Sequence, residues 1–133
     1  MRIFLDANIL VSGIIFKGKE HELLTKNKNI LFLTSEDALD ETKSAITQKF
    51  PESRELVEIF LNILNLTVIK RKEYLNKLHE HAIVRDRNDR HILAAATIGK
   101  ADYIVTGDND LLILKKYHNI SIIQAKKMLS LLK

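Results

Sequence analysis

Residues 103–110 read Tyr103-Ile104-Val105-Thr106-Gly107-Asp108-Asn109-Asp110. The first three are continuously apolar, too few for a helix and without the alternation of a half-exposed strand, so they read as a strand buried on both faces. The glycine and acids that follow mark a turn out of it. Working outward, the same apolar texture recurs at Ile3–Leu5, Ile30–Leu33, Leu66–Ile69 and Ile120–Ile123, and the first of these also runs straight into an acid, Asp6. Helical periodicity fills the intervals. Leu39, Ala45 and Ile46 follow Ser35, a good N-cap; Leu56, Val57, Phe60, Leu61 and Leu64 follow Pro51, suited to a first helical turn. Ile92, Leu93, Ala95 and Ala96 mark a helix ending near Gly99, and Ala125, Met128, Leu129 and Leu132 a last one. Strands alternating with helices imply right-handed crossovers and an α/β sandwich around a mainly parallel five-stranded sheet.

The chain has 133 residues, 46% hydrophobic and 29% charged, with Gly 4 and Pro 1 and no linker-like tract, so residues 1–133 read as a single domain. Cys 0 excludes a disulfide framework, a thiolate metal site and a thiol nucleophile. Trp 0 and 6% aromatics argue against a base-stacking platform. No apolar run approaches the roughly 18 residues of a membrane span, and the N-terminus carries no targeting pattern. A cytoplasmic protein without a membrane partner is expected. The net charge of +4 is only a weak pointer to a polyanionic partner.

In an open parallel sheet, ligands bind beyond the carboxyl ends of the strands. Asp6 ends the first strand, and Asp108 and Asp110 follow the fourth. Asp86 and Asp89 open the third helix, while Asp40 and Glu41 lie in the helix after Ser35. Each has a local explanation: Asp6, Asp86 and Asp108 suit helix caps, Asp89 a first-turn acid, and Glu41 a solvated helix charge. Their joint position at one rim is harder to explain locally. Two carboxylates at 4 Å repel by about 4 kcal/mol at an effective dielectric near 20. Such a cluster persists by retaining protons or by binding a cation, and an all-oxygen set suits Mg²⁺ or Mn²⁺ rather than Zn²⁺. Two such ions would clamp a phosphodiester for hydrolysis.

Four blocks carry a resemblance: Ile3-Phe4-Leu5-Asp6-Ala7-Asn8-Ile9-Leu10, Ser35-Glu36-Asp37-Ala38-Leu39-Asp40-Glu41, Arg85-Asp86-Arg87-Asn88-Asp89-Arg90-His91-Ile92-Leu93-Ala94-Ala95-Ala96 and Ala101-Asp102-Tyr103-Ile104-Val105-Thr106-Gly107-Asp108-Asn109-Asp110-Leu111-Leu112. In this order they resemble the PIN domain family, most closely its prokaryotic VapC-like toxins. The resemblance implies a three-layer α/β/α fold and a Mg²⁺- or Mn²⁺-dependent ribonuclease. It implies Asp6, Glu41, Asp89 and Asp108 as the catalytic metal-site acids, Asp110 as a further ligand, and Asn8 and Thr106 as polar groups supporting them. It also implies RNA, a small antitoxin and a second copy of the chain as partners, the antitoxin lying on the apolar helices after Ser35 and Pro51. Asp86 remains an alternative to Asp89, and Asp40 to Glu41.

Arg85, Arg87 and Arg90 flank Asp89 and suit phosphate oxygens, which guanidinium groups grip in pairs; His91 is a further candidate contact. The other basic runs read as solvated faces, while Lys70-Arg71-Lys72 and Lys17-Gly18-Lys19-Glu20, the latter in the short connection from Lys17 to Asn29, read as connections or exposed helix starts. His79 and His81 read as exposed or capping residues, since nothing nearby completes a ligand set. A haloacid-dehalogenase-type phosphatase would need a general acid two residues after Asp6, where Asn8 cannot donate a proton. A response-regulator receiver fails because no Asp follows Leu66–Ile69. A non-cutting PIN-fold module that binds RNA or protein is the remaining alternative, disfavoured because every expected acid is present.

Overall fold

A computed structural model describes residues 1–26 and 29–132. All five expected strands form: β1 (Arg2–Leu5), β2 (Leu31–Ser35), β3 (Thr67–Ile69), β4 (Tyr103–Val105) and, later in the chain, Ile120–Ile123. A sixth, β5 (Lys116–Tyr117), makes a short hairpin with that last strand, β6, and is the one antiparallel member. It is two residues long, too short to show periodicity, and it forms because Lys115 and His118 take positive φ at the bends on either side. The strand order is β3-β2-β1-β4-β6-β5.

Alternation along each strand divides the core between two layers. Phe4, Leu33, Ile104 and Ile122 face one side of the sheet, where Leu93 and Ala94–Ala96 of α6 (Arg87–Ile98), Tyr74 of α5 (Arg71–Tyr74) and Leu78 of the 3₁₀ segment Leu75–His81 cover them. Ile3, Leu5, Phe32 and Val105 face the other. There they meet Ile9 and Leu10 of α1 (Ala7–Ile15), Leu23 and Leu24 of α2 (Lys19–Leu24), and Met128 and Leu129 of α8 (Ala125–Leu131). The result is the expected three-layer α/β/α sandwich, with each parallel strand covered on both faces.

The local signals act where expected. Ser35 Oγ accepts the Ala38 N–H at 3.0 Å and starts α3 (Glu36–Lys49). Pro51 opens a 3₁₀ turn that leads into α4 (Arg54–Leu64), and α6 ends at Gly99. Within the short connection from Lys17 to Asn29, Lys17-Gly18-Lys19-Glu20 proves to be a helix start, with α2 begun at Gly18; residues 27 and 28 lie outside the described residues. Six residues are too few for a helical period to stand out, and α2 is fixed by packing on α1 and α8.

Gly13, in the last turn of α1, sets how closely α1 and α2 approach. A Cβ there would stand 2.3 Å from Leu24 Cδ1 and 3.3 Å from the Glu20 carbonyl oxygen, and Leu24 is buried. Overpacking such a site costs about 1–3 kcal/mol, more than the gain in helix propensity from alanine recovers. Gly13→Ala is therefore expected to lower the urea midpoint of unfolding with an unchanged m-value.

Candidate metal centre

The strand order reverses between β1 and β4: from β1 the chain crosses to β2 on one side, and from β4 to β6 on the other. Such a switch point leaves a crevice at the carboxyl ends of the two strands. Leu5 is in register with Val105, which brings Asp6 beside Thr106 as the strands end. The buried Thr106 hydroxyl donates to Asp6 Oδ2 and accepts the Asp108 N–H at 3.0 Å. Both acids also cap helices. Asp6 Oδ1 accepts the Ile9 N–H at 3.0 Å, and Asp108 Oδ1 accepts the Asp110 N–H at 2.9 Å at the start of α7 (Asn109–Leu112). The local explanation and the shared-rim explanation both hold, because capping turns each carboxylate inward over its strand end.

Asp86 caps α6 with Oδ1 on the Asn88 N–H at 2.8 Å and is exposed, whereas Asp89, one turn in, is only 4% exposed. Asp89, Asp108 and Asp110 each offer an oxygen, all within 4.8 Å of one another. Of the two candidates in α6, Asp89 is thus the one in the cluster. In α3, Asp40 is engaged elsewhere, with Oδ2 2.8 Å from Arg71 Nη2, while the exposed Glu41 adds its charge to the field at Asp6.

The electrostatics record the crowding. Burial, a hydrogen bond with Asp108 and the charges of Asp108, Asp86 and Asp110 push Asp89 up to about 7. Asp6 is also raised: its burial and the charges of Asp108 and Glu41 outweigh the hydrogen bonds from Thr106 and Ile9. A carboxyl that keeps its proton near neutrality among other acids marks a place short of positive charge. With only carboxylate oxygens as charged donors, the residues fit a hard divalent cation.

Around this centre, Asn8 is exposed on the first turn of α1, and Arg85 and Arg87 are exposed at the start of α6. Arg90 is half-buried and donates from Nε to the Val84 carbonyl at 2.7 Å. His91 turns away from solvent: its ring lies 5.6 Å from that of Tyr74, and Nδ1 stands 2.7 Å from Asp37 Oδ2 without the alignment of a hydrogen bond.

Spacing gave no sign of the polar group next to it. Arg71 Nε donates to Asp37 Oδ1 at 2.7 Å and the Tyr74 hydroxyl to Asp37 Oδ2 at 2.6 Å. Burial works to raise Asp37, but these bonds and the charges of His91 and Arg71 prevail and hold it below the usual carboxylate range. Burial and the Asp37 carboxylate push Tyr74 up to about 12. Lys70-Arg71-Lys72 opens α5, one of its two expected readings, and its arginine is committed to α3 across more than thirty residues of chain. His81 is likewise a correction: it is buried, with Nδ1 2.6 Å from the Tyr117 hydroxyl, because the β5–β6 hairpin folds over it.

A carboxyl raised on folding binds more protons in the folded state than in the unfolded state, so stability falls as pH rises from the unfolded value near 4 through about 7. In the metal-free protein, Asp89→Asn is expected to raise the melting temperature at pH 7.5 by about 3–5 °C, on the order of 1 kcal/mol. The gain should vanish near pH 4, where Asp89 is protonated anyway, and differential scanning calorimetry across that range reads both limits.

Comparison with known proteins bears on the fold. The chain of VapBC2 from Rickettsia felis, solved bound to a DNA fragment from its promoter, superimposes with a TM-score of 0.63 at 23% identity, covering 92% of this chain and 97% of that one. Mycobacterium tuberculosis VapC20, described as a sarcin–ricin loop cleaving toxin, gives 0.60 at 14%, with coverage of 90% and 98%. At such identities the likeness concerns the fold. No curated protein matches the sequence significantly. The PIN domain family, however, matches residues 2–110, from the first residue of β1 through the last acid of the cluster. The chain belongs to the PIN domain family.

Proposed function

We propose that this protein is a Mg²⁺- or Mn²⁺-dependent endoribonuclease, the toxin of a toxin–antitoxin pair. The observation that carries the reading is the group of Asp89, Asp108 and Asp110, which offer oxygens within 4.8 Å of one another, with Asp6 tied through Thr106 to the Asp108 backbone at the β1–β4 crevice. Asp6, Glu41, Asp89 and Asp108, with Asp110 at the rim, are the residues that would hold the ion. A bound Mg²⁺ or Mn²⁺ supplies Lewis acidity toward a phosphoryl oxygen and lowers the pKa of a water. Thr106 ties the Asp6 carboxylate to the Asp108 backbone, and Asn8, exposed on the first turn of α1, would support the site from that side. Such supporting partners commonly change metal affinity or activity by 10–100-fold when removed.

Arg85 and Arg87 extend from the same helix start that delivers Asp89, placed to bind phosphate oxygens of an RNA backbone. Arg90 and His91, committed to Val84 and the Asp37 group, keep that helix start in place instead. The sequence carries a net +4 although Asp6, Glu41, Asp89, Asp108 and Asp110 gather at one crevice, so the rest of the surface is more basic than the average conveys.

The antitoxin reading is supported by apolar surface on α4, where Leu56, Ile59 and Ile63 recur at helical spacing and are exposed. Beside them a cavity of about 260 Å³ opens between Phe60, Ile63, Leu64, Leu24, Ile30 and Phe32. A homodimer and a cytoplasmic location complete the proposal. Among the described residues no helix is long and apolar enough to cross a membrane.

The test is incubation with a mixed RNA pool in Mg²⁺, in Mn²⁺ and in EDTA, beside Asp6→Ala. Cleavage confined to wild type with metal is expected, with Asp6→Ala slower by at least about 100-fold. Equal cleavage in every lane would trace the activity to a contaminant, and none in any lane would favour a non-cutting RNA- or protein-binding module.

A further inference from the structure

Asp37 stands outside the acidic cluster, in the first turn of α3 and one helical turn before Glu41. It gathers side chains from two other elements: Arg71 and Tyr74 of α5, and His91 of α6. The contacts at its two oxygens, from Arg71 Nε, the Tyr74 hydroxyl and His91 Nδ1, span 2.6–2.7 Å. The Asp37 N–H also donates back to the Tyr74 hydroxyl at 3.2 Å. Arg71 extends the grip along α3, with Nη2 on Asp40 at 2.8 Å and its own backbone N–H on Glu36 Oε1 at 2.7 Å. Tyr74 is fully buried, so the group is anchored in the core beneath α6 rather than floating on the surface.

Glu41 has no comparable anchor. It is exposed and makes no hydrogen bond or ion pair among the described residues, so its position relative to Asp6 follows from where α3 sits. Asp89 precedes His91 by two residues on α6. The contacts of Asp37 thus join the helix that carries Glu41 to the helix that carries Asp89, on the side of the crevice away from β4.

We propose that Asp37 is a positioning residue for the cation site, fixing α3 against α5 and α6 so that Glu41 reaches the Asp6–Asp89–Asp108 group. This rests on the reading of those acids as a divalent-metal site. The network touches no proposed ligand directly, so its contribution is to preorganise the distance between two helices.

The experiment is Mn²⁺ titration of the full chain, following free Mn²⁺ by electron paramagnetic resonance well below the unfolding temperature, with circular dichroism confirming the fold. Asp37→Ala is expected to weaken Mn²⁺ binding about 10-fold or more. Tyr74→Phe, which removes both hydrogen bonds of the hydroxyl with Asp37 and keeps the ring, should weaken it in the same direction by a smaller factor, and it decides the matter if Asp37→Ala does not fold. Ile46→Val, an α3 core change remote from the network, should lower stability and leave Mn²⁺ affinity unchanged. Wild-type affinity in both Asp37→Ala and Tyr74→Phe would overturn the proposal, as would an equal loss in Ile46→Val. Absence of Mn²⁺ binding by wild type would instead overturn the metal-site reading beneath it.

Discussion

The parallel pairing of β1 with β4 is the constraint on which the rest of the site depends. Two strands a hundred residues apart in sequence lie side by side, Leu5 against Val105, and each ends in a residue that caps the next helix or supports the cap. Because the connections leave these strands in opposite directions, no crossover covers the gap between their ends. Thr106 closes the arrangement with one hydroxyl, donating to Asp6 and accepting from the Asp108 backbone. A one-residue shift in this pairing would turn Asp6 and Thr106 to opposite faces and exchange the two sides of the core.

Around this constraint the molecule assembles charge that the fold does not neutralise. Capping bonds orient Asp6 and Asp108, yet bringing Asp89 to them costs enough that a proton stays on until about pH 7. Folding concerns alone would favour asparagine or serine at such helix starts, which cap as well without repulsion. The stability surrendered there is the physical ground for the proposed cation site. The Asp37 group shows the opposite treatment of a carboxylate: an arginine, a tyrosine hydroxyl and a histidine surround it, and it stays ionised. Two acidic groups within a few residues of each other along α3 and α6 thus serve different ends, one fastened and one left open.

The division between legible and illegible features follows the range of the interactions. Continuous apolar runs announced the five parallel strands, and Ser35, Pro51, Asp86 and Gly99 announced helix ends, since capping and proline geometry act within a turn of chain. β5 escaped, and α2 was legible only as a possible helix start, because two and six residues hold no measurable period and owe their form to neighbours. His81 was misplaced for the same reason: a hairpin more than thirty residues later covers it. The site was legible as a set of acids at strand ends, but spacing left Asp86 level with Asp89 and Asp40 level with Glu41.

By itself the sequence determined the α/β class, the parallel strands, the helix starts and which acids lie at strand ends, because periodicity and capping are local properties of the chain. Only the tertiary structure decided that Asp89 joins Asp108 and Asp110 while Asp86 faces water, that Arg71 engages Asp40 while Glu41 adds its charge at Asp6, and that Asp37 joins α3 to α5 and α6. These choices turn on distances between helices far apart in sequence. Such distances are set by the packing of two core layers on one twisted sheet, which no local pattern encodes.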